Sequence, residues 1–295
     1  MSKKNLNFLK MSILNFIYES LNPIKTSFEM EESTNEENPN KKIKIDNIIK
    51  SDELSEIKKL ESGQYSSLSL CINPKNEKKY VVKIYSDLRD HSFESLLHRS
   101  FDSEYVAEYV ESDFPISKAI VTKYYENGDF LDYSIEKRND ENFRQIFCKI
   151  AFGLKFLKSQ MVIHRDIKPE NIFLDENLQP RIGDFGFAIK LETEHDTARD
   201  VCGTILYVAP EIVGSYNFSV DVWSLGVLFY SVVCGNNPFH SNHLQRYSHT
   251  DYVKRLIFPK FFDESLKELI KNMLNPVLTK RFTIEQVCDH HYFSQ

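Results

Sequence analysis

The sequence predicts an α+β fold, with strands in the first part of the packed region and helices in the second. Strand-like alternation and apolar runs lie between residues 57 and 125, whereas apolar residues recur at helical spacing over residues 143–157 and 264–274. The most apolar run, residues 220–234, contains Asp221 and is too short to cross a bilayer, so it predicts a buried core helix. Strands followed by helices are typical of α+β domains.

Composition narrows the range of functions. The chain has 295 residues and 41% hydrophobic content, enough to bury one large domain or two small ones. Its formal charge of −6 argues against a nucleic-acid partner bound through phosphate contacts. Five scattered cysteines without a C-x-x-C pair are typical of a reducing compartment, so we expect an intracellular protein, cytoplasmic or nuclear. The sequence has neither a transmembrane span nor a signal peptide, and we expect no membrane partner.

Residues 1–53 are predicted to form an N-terminal extension that is largely disordered. The segment opens with apolar residues at helical spacing and continues through an acidic, Ser/Asn-rich run at residues 29–40. It is interpreted either as a mobile extension with a transient helix or as a docking or autoregulatory helix. Residues 41–44, Lys-Lys-Ile-Lys, fit either a nuclear address or a solvated linker.

Three short motifs in the middle of the chain contain the candidate functional residues. Residues 162–171 read V-I-H-R-D-I-K-P-E-N, an apolar pair followed by an acid, a cation and an amide. D-F-G follows at residues 184–186 and A-P-E at residues 209–211. Their order and spacing resemble the H-R-D, D-F-G and A-P-E signature of protein kinases, and the resemblance covers roughly residues 54–293.

This resemblance implies a bilobal protein-kinase-like fold. The small N-lobe, an antiparallel sheet plus a helix, would span about residues 54–122, the hinge residues 123–128, and the large, mainly helical C-lobe residues 129–293. The cofactors implied are ATP and Mg²⁺, and the partners are protein substrates with serine or threonine acceptors. We expect a monomeric kinase domain. Its motif style resembles the calcium/calmodulin-dependent and cyclic-nucleotide-dependent groups.

Residues 61–68 occupy the place of the glycine-rich phosphate loop, where the chain departs from the family. Only Gly63 matches, because Glu61 and Ser66 stand where glycines are usual. Glycine lets backbone N–H groups approach phosphate without a Cβ in the way, and Glu61 would add a repelling charge. We therefore expect a stiffer loop and weaker ATP binding. The resemblance assigns Gly63 and Leu68 to the nucleotide site.

Residues 80–84 alternate as a strand that carries Lys83. By resemblance, Lys83 pairs with the α- and β-phosphates, and a glutamate on the next helix holds it. Glu94 is the first candidate for that glutamate, and Glu104 is the alternative.

Residues 119–125 predict a buried strand that runs into the hinge. By resemblance, Thr122 gates the adenine pocket, and the backbone of Tyr124 and Tyr125 would bind the base. Asp129, which follows a turn, is also assigned to the nucleotide site.

The resemblance assigns the chemistry to four side chains. Asp166 would orient the substrate hydroxyl and take its proton, and Lys168 would stand beside the transferred phosphoryl group. Asn171 and Asp184 would supply oxygen ligands for Mg²⁺. The alternative is a polar, acid-rich turn without chemistry.

Lys168, together with Thr204, resembles the pattern of Ser/Thr kinases, whereas tyrosine kinases usually carry an arginine-containing variant of this loop. Thr204 could hydrogen-bond both Asp166 and Lys168 and leave room for a small hydroxyl substrate. Glu170 and Asp129 match acidic positions that bind arginine upstream of the acceptor, but Ser231 replaces a third acid. We expect a preference for one upstream arginine. These acids could equally be solvated surface.

Asp200 stands where a phosphorylated threonine is common in the family. Our hypothesis is that its carboxylate engages Arg165 and gives partial activity without phosphorylation. In the alternative, Asp200 faces solvent and Thr193 or Thr197 is the switch.

Three further residues are expected to serve as scaffold. An aspartate inside an apolar helix needs a partner, and by resemblance Asp221 binds backbone N–H groups of the catalytic loop. Glu211 is expected to pair with Arg281.

Two other functions remain open. The degenerate glycine loop is compatible with a pseudokinase scaffold that binds partners with weak or no phosphoryl transfer. A small-molecule kinase of related fold fits less well, because such enzymes usually lack the elements that contain Glu211 and Asp221.

Overall fold

The computed structural model describes residues 48–62, 66–86, 91–137, 141–239, 256–260 and 262–294. Its N-terminal part is an antiparallel sheet of four strands in the order β1 (Ser55–Ser62), β2 (Ser66–Ile72), β3 (Lys79–Tyr85) and β4 (Ala119–Lys123). Side chains alternate between the two faces of a strand, so Lys83 and Tyr85 share one face of β3 while Tyr80 and Val82 share the other.

Tyr80 and Val82 belong to a small apolar cluster together with Ile49, Cys71 and Val121. Ile49 falls within the predicted extension, yet it is buried, and its N–H donates to the Glu111 carbonyl at 2.8 Å. The packed region therefore begins a few residues before the predicted boundary at residue 54, because an apolar side chain there covers the sheet.

A short helix, α1 (Ser92–Ser100), follows β3 along the chain. It buries one face, which includes Glu94, Leu97 and His98, and exposes Phe93 and Leu96 on the other. A helix of nine residues is marginal in isolation, so contacts with the rest of the protein must hold it in position.

The C-terminal part of the described chain is mainly helical. Its helices are α2 (Phe130–Glu136), α3 (Phe143–Ser159), α4 (Ser219–Cys234), α5 (Glu264–Met273) and α6 (Ile284–Cys288). The apolar stripe of α3 is buried as predicted, and α4 is buried on nearly every side. Helix α4 ends at Gly235, whose φ of +71° suits glycine.

Two short strand pairs form the base of the loops that carry the motifs. β5 (Val162–Ile163) pairs with β8 (Ile189–Lys190), and β6 (Ile172–Leu174) pairs with β7 (Pro180–Ile182). One loop connects β5 to β6, and the other connects β7 to β8. The loops meet where the Gly183 N–H donates to the Asn171 carbonyl at 2.9 Å.

The predicted α+β fold is confirmed, with the strand-rich part preceding the helical part. The predicted N-terminal amphipathic segment, the acidic run, the basic cluster and Gly63 lie outside the described residues, as does the side chain of Glu61. None of the helices in the described part of the chain is both long enough and apolar enough to cross a membrane.

Candidate active site

Lys83 connects the two parts of the fold. Its Nζ lies 2.9 Å from Oε1 of Glu94 on α1 and 2.7 Å from Oδ1 of Asp184, which directly follows Gly183 after β7. Burial alone would lower the pKa of Lys83, but the charges of Asp184 and Glu94 outweigh burial and raise the pKa. Lys83 is therefore a fixed cation, and Glu94, the first candidate, is its helical partner in this structure.

Asp166 is the centre of a second hydrogen-bonded group. Its carboxylate is 3% exposed, and Oδ1 accepts both the N–H of Thr204 at 2.8 Å and the Thr204 hydroxyl at 2.6 Å. Lys168 Nζ lies 2.8 Å from Oδ2 and donates to Thr204 Oγ1 at 2.9 Å. Asp166, Lys168 and Thr204 thus form one closed network in which each member is oriented by the other two.

Asn171 borders this network and has a fixed orientation. Its Nδ2 donates to the backbone carbonyl of Asp166 at 2.9 Å and to Oδ2 of Asp166 at 3.0 Å. Because the amide nitrogen is engaged in this way, the amide oxygen points away from Asp166.

The donor set fits Mg²⁺. Asn171 offers an oriented amide oxygen, and Asp184 offers a carboxylate that is 44% exposed. Carboxylate and amide oxygens are the ligands that Mg²⁺ prefers in proteins. Burial by itself would raise the pKa of Asp184, but the adjacent Lys83 charge lowers it, so Asp184 is ionised and able to hold a cation at neutral pH.

Asp221 holds the backbone of the loop between β5 and β6. Its two carboxylate oxygens accept the backbone N–H groups of His164 at 2.7 Å and Arg165 at 2.9 Å. Arg165 has a φ of +68° and Asp184 a φ of +61°, which non-glycine residues rarely adopt. Strained backbone of this kind persists only where neighbouring contacts hold it, and Asp221 supplies such contacts for Arg165.

Arg165 reaches the segment that follows D-F-G. Its Nε donates to the Phe187 carbonyl at 2.5 Å, and its Nη1 donates to the Tyr216 hydroxyl at 3.0 Å and lies 3.3 Å from Oδ2 of Asp200. The Arg165 side chain is 9% exposed, whereas that of Asp200 is 75% exposed. Thr197, the alternative switch, accepts a hydrogen bond from Ser215 at 2.7 Å.

Glu211 and Arg281 form a buried ion pair. Both Glu211 oxygens accept from the guanidinium, at 2.9 Å for Oε2, and the Arg281 side chain is fully buried. Arg281 also donates to the carbonyls of Asn275 and Ser219, so all three nitrogens of its guanidinium form hydrogen bonds. The pair joins the A-P-E segment to the region before α6.

Hinge residues have backbone partners within the protein. The N–H of Tyr124 donates to the Lys79 carbonyl at 3.3 Å, so a base bound by that N–H would have to replace this bond. The buried Tyr125 hydroxyl accepts the N–H of Glu108 at 2.9 Å. Leu68 is half-buried and lies opposite Lys83 across the β2–β3 pair.

Asp129 has a structural contact that the sequence did not predict. Its Oδ1 accepts the N–H of Asp132 at 2.9 Å and caps the first turn of α2. Burial raises the pKa of Asp129.

Two residues at the site were missed by sequence reasoning. The buried Tyr85 hydroxyl donates to Oε2 of Glu94, and its position two residues after Lys83 on a strand was a usable signal. His98, four residues after Glu94 on α1, is 3% exposed, and its ring centroid lies 5.0 Å from that of Phe185 in the D-F-G motif. No pattern in a single sequence indicates that second contact.

Comparison with known proteins covers most of the chain. The family described as Protein kinase domain matches residues 54–293. A relative named carbon catabolite-derepressing protein kinase, from Secale cereale, is 32% identical over 59% of this chain and 36% of its own length. The SNF1-related protein kinase catalytic subunit alpha KIN12 of Arabidopsis thaliana is 27% identical over 80% of this chain and 50% of its own. The matches therefore span half or less of these relatives.

Proposed function

The chain belongs to the protein kinase family, and we propose that it transfers the γ-phosphate of ATP to serine and threonine hydroxyls of protein substrates. The observation that carries this proposal is the network of Asp166, Lys168 and Thr204. In it Thr204 holds together an ionisable acceptor and a cation, the two kinds of group that transfer to an alcohol uses.

Asp166 is the acceptor for the substrate proton in this proposal. An alcohol already donates to its Oδ1 at 2.6 Å, which supports its use by a substrate hydroxyl. Asn171 and Lys168 hold Oδ2 and so constrain the orientation of the carboxylate. A substrate hydroxyl would therefore replace the Thr204 hydroxyl at Oδ1 without rotation of the carboxylate.

Lys83 and Lys168 supply positive charge to the phosphates. Each ammonium is bonded to a carboxylate, which fixes its direction at little further entropic cost. When bound through Asp184 and Asn171, Mg²⁺ supplies additional positive charge to the phosphate oxygens.

A direct test compares wild-type protein with Asp166→Asn on a serine peptide with MgATP. Asparagine keeps the size of the side chain but cannot take the proton, so we expect turnover to fall by about a hundredfold or more. An unchanged melting temperature would exclude unfolding as the cause. Equal turnover in both proteins would refute the role of Asp166, and absence of turnover in both would favour the pseudokinase alternative.

We also propose that the substrate carries one arginine, about three residues before the acceptor. Among the described residues, Oε2 of Glu170 is buried without a hydrogen-bond partner, and such an oxygen favours a cationic ligand. The hydroxyl of Ser231 donates to the Leu228 carbonyl of its own helix, so the third acidic position of the basophilic kinases offers no charge. Glu170→Gln should remove discrimination between arginine and alanine peptides and leave turnover of the alanine peptide unchanged.

We further propose that Asp200 supports Arg165 without phosphorylation. The pair distance of 3.3 Å supports this role, and the exposure of Asp200 limits its strength. Thr193 and Thr197 stand as the alternative switch.

The remaining proposals concern context. An intracellular location is supported by five free cysteines. We propose a monomeric domain over residues 54–293 without a membrane partner. The formal charge of −6 argues against a nucleic-acid partner. A closer relation to the calcium/calmodulin-dependent and cyclic-nucleotide-dependent groups is supported by the motif around Lys168 and Glu170 alone.

A further inference from the structure

Tyr85 is a buried aromatic residue at the end of β3. It is 6% exposed, and its N–H donates to the Lys118 carbonyl at 2.9 Å. Because residues two apart on a strand point to the same face, its side chain lies beside that of Lys83. This position alone would suit any apolar residue, so the hydroxyl requires a separate explanation.

The hydroxyl of Tyr85 completes the coordination of Glu94. It donates to Oε2, while Lys83 donates to Oε1 at 2.9 Å. A carboxylate held at both oxygens by donors from one strand cannot rotate about its terminal bond without losing a bond. Tyr85 therefore fixes which oxygen of Glu94 faces Lys83.

The ring of Tyr85 makes two further contacts. It stacks on the ring of His91 with centroids 3.7 Å apart and an interplanar angle of 6°. Nζ of Lys83 lies 5.2 Å from the ring centroid, within cation–π distance. His91 immediately precedes α1, and Glu94 lies in its first turn, so one side chain contacts the helix at two points.

These contacts matter because α1 is short. A nine-residue helix does not hold its own position, and Glu94 on this helix is one of the two carboxylates, with Asp184, that fix the direction of Lys83. We propose that Tyr85 is a positioning residue for phosphoryl transfer, acting through Glu94 and His91 to hold α1 and thereby Lys83. This inference rests on the proposed kinase function.

Tyr85→Phe removes the hydroxyl and keeps the ring, and Tyr230→Phe is its matched control. Tyr230 is also buried, and its hydroxyl donates to the Ile257 carbonyl at 2.7 Å, outside the site. Both variants keep the ring and lose a buried hydroxyl together with its hydrogen bonding, so both should lower the melting temperature. In Tyr85→Phe we expect kcat to fall and amide exchange over residues 92–100 to accelerate, each about tenfold or more, which is the value of one hydrogen bond to a charged group. KM for the peptide should not change, and Tyr230→Phe should alter neither kcat nor this exchange.

Two results would overturn the proposal. One is a Tyr85→Phe protein that matches Tyr230→Phe in both kcat and exchange. The other is faster exchange over residues 92–100 with unchanged kcat, since Tyr85 would then be structural only. If the wild type transfers no phosphate to any serine or threonine peptide, the proposed function fails. The affinity for MgATP then replaces kcat as the readout for Tyr85, with the same loss of about tenfold or more expected.

Discussion

Replacing Asp200 with alanine tests whether a carboxylate can support Arg165 where a phosphate is common. Nη1 of Arg165 lies 3.3 Å from Oδ2 of Asp200. The same guanidinium donates to the Phe187 carbonyl and the Tyr216 hydroxyl, and neither bond involves the Asp200 side chain. Asp200→Ala therefore removes one of three contacts and leaves the arginine anchored.

The size of the expected loss of activity follows from the solvent exposure of the Asp200 side chain. The Asp200 side chain is 75% exposed, so water screens the pair even though Arg165 is 9% exposed. Ion pairs of this kind contribute about 0.2–1 kcal/mol, which corresponds to a factor of about 1.5–5. We expect kcat/KM to fall by that factor, and we expect a larger loss for Arg165→Ala, which removes all three contacts.

The assay is kcat/KM on a serine peptide at about 0.1 M and about 1 M salt, because screening at the higher concentration should shrink the difference between wild type and variant. Asp196→Ala is the control, since Asp196 lies in the same segment and its carboxylate accepts a local bond from the Thr193 N–H at 2.8 Å. Equal activity of the two variants would refute the hypothesis that Asp200 supports Arg165. A loss in Asp200→Ala beyond about a hundredfold would contradict the screened-pair reasoning.

Three further predictions concern the scaffold and the site. Asp221→Asn should lower the free energy of unfolding by about 3 kcal/mol in urea titration, because an amide cannot accept both backbone N–H groups; a loss within experimental error would contradict this. Gly186→Ala should weaken MgATP affinity without lowering the melting temperature, since an added Cβ would lie 3.5 Å from Lys83 Nζ and 3.3 Å from each carboxylate that binds it. Burial, aided by the charge of His291, lowers the pKa of His290, so unfolding should become easier as pH falls below the ordinary value of about 6.5. His290→Phe should flatten that dependence in urea titrations at about pH 7 and about pH 5.

The sequence predicted the parts of the fold where a local pattern of residues has one physical explanation. The stripe of α3 is an example, because apolar residues at helical spacing bury together. Asp221 is another, since an aspartate in an apolar helix requires donors, and the structure supplies two backbone N–H groups. Glu94 required only the choice between two acids, and the structure pairs it with Lys83.

What the sequence could not predict depends on how elements pack. The spacing of Tyr85 from Lys83 places both on one face of β3, but the contacts of Tyr85 with Glu94 and His91 depend on where α1 packs. The contact of His98 with Phe185 joins residues far apart in the chain, and no periodicity indicates it. From the sequence, Asp129 was assigned to the nucleotide site and to a substrate arginine. In the structure it accepts an N–H group of the first turn of α2, as an aspartate before a helix often does.

Residues 61–68, which the resemblance places at the phosphate loop, lie in a different part of the chain from the candidate catalytic residues Asp166 and Lys168. Nucleotide binding and turnover can therefore be tested separately at Glu61. Asp166 and Lys168 are fixed by bonds within the C-terminal part, so a change at Glu61 should leave kcat unchanged. A like charge near the nucleotide costs about 1 kcal/mol when water screens it, so Glu61→Gln should lower KM for ATP by up to about fivefold. Glu61→Gly should lower it further if the Cβ also obstructs approach of the backbone N–H groups to phosphate. Because the two variants share the loss of charge, their difference isolates the backbone effect. A fall in kcat with unchanged KM for ATP would mean that loop and chemistry are coupled.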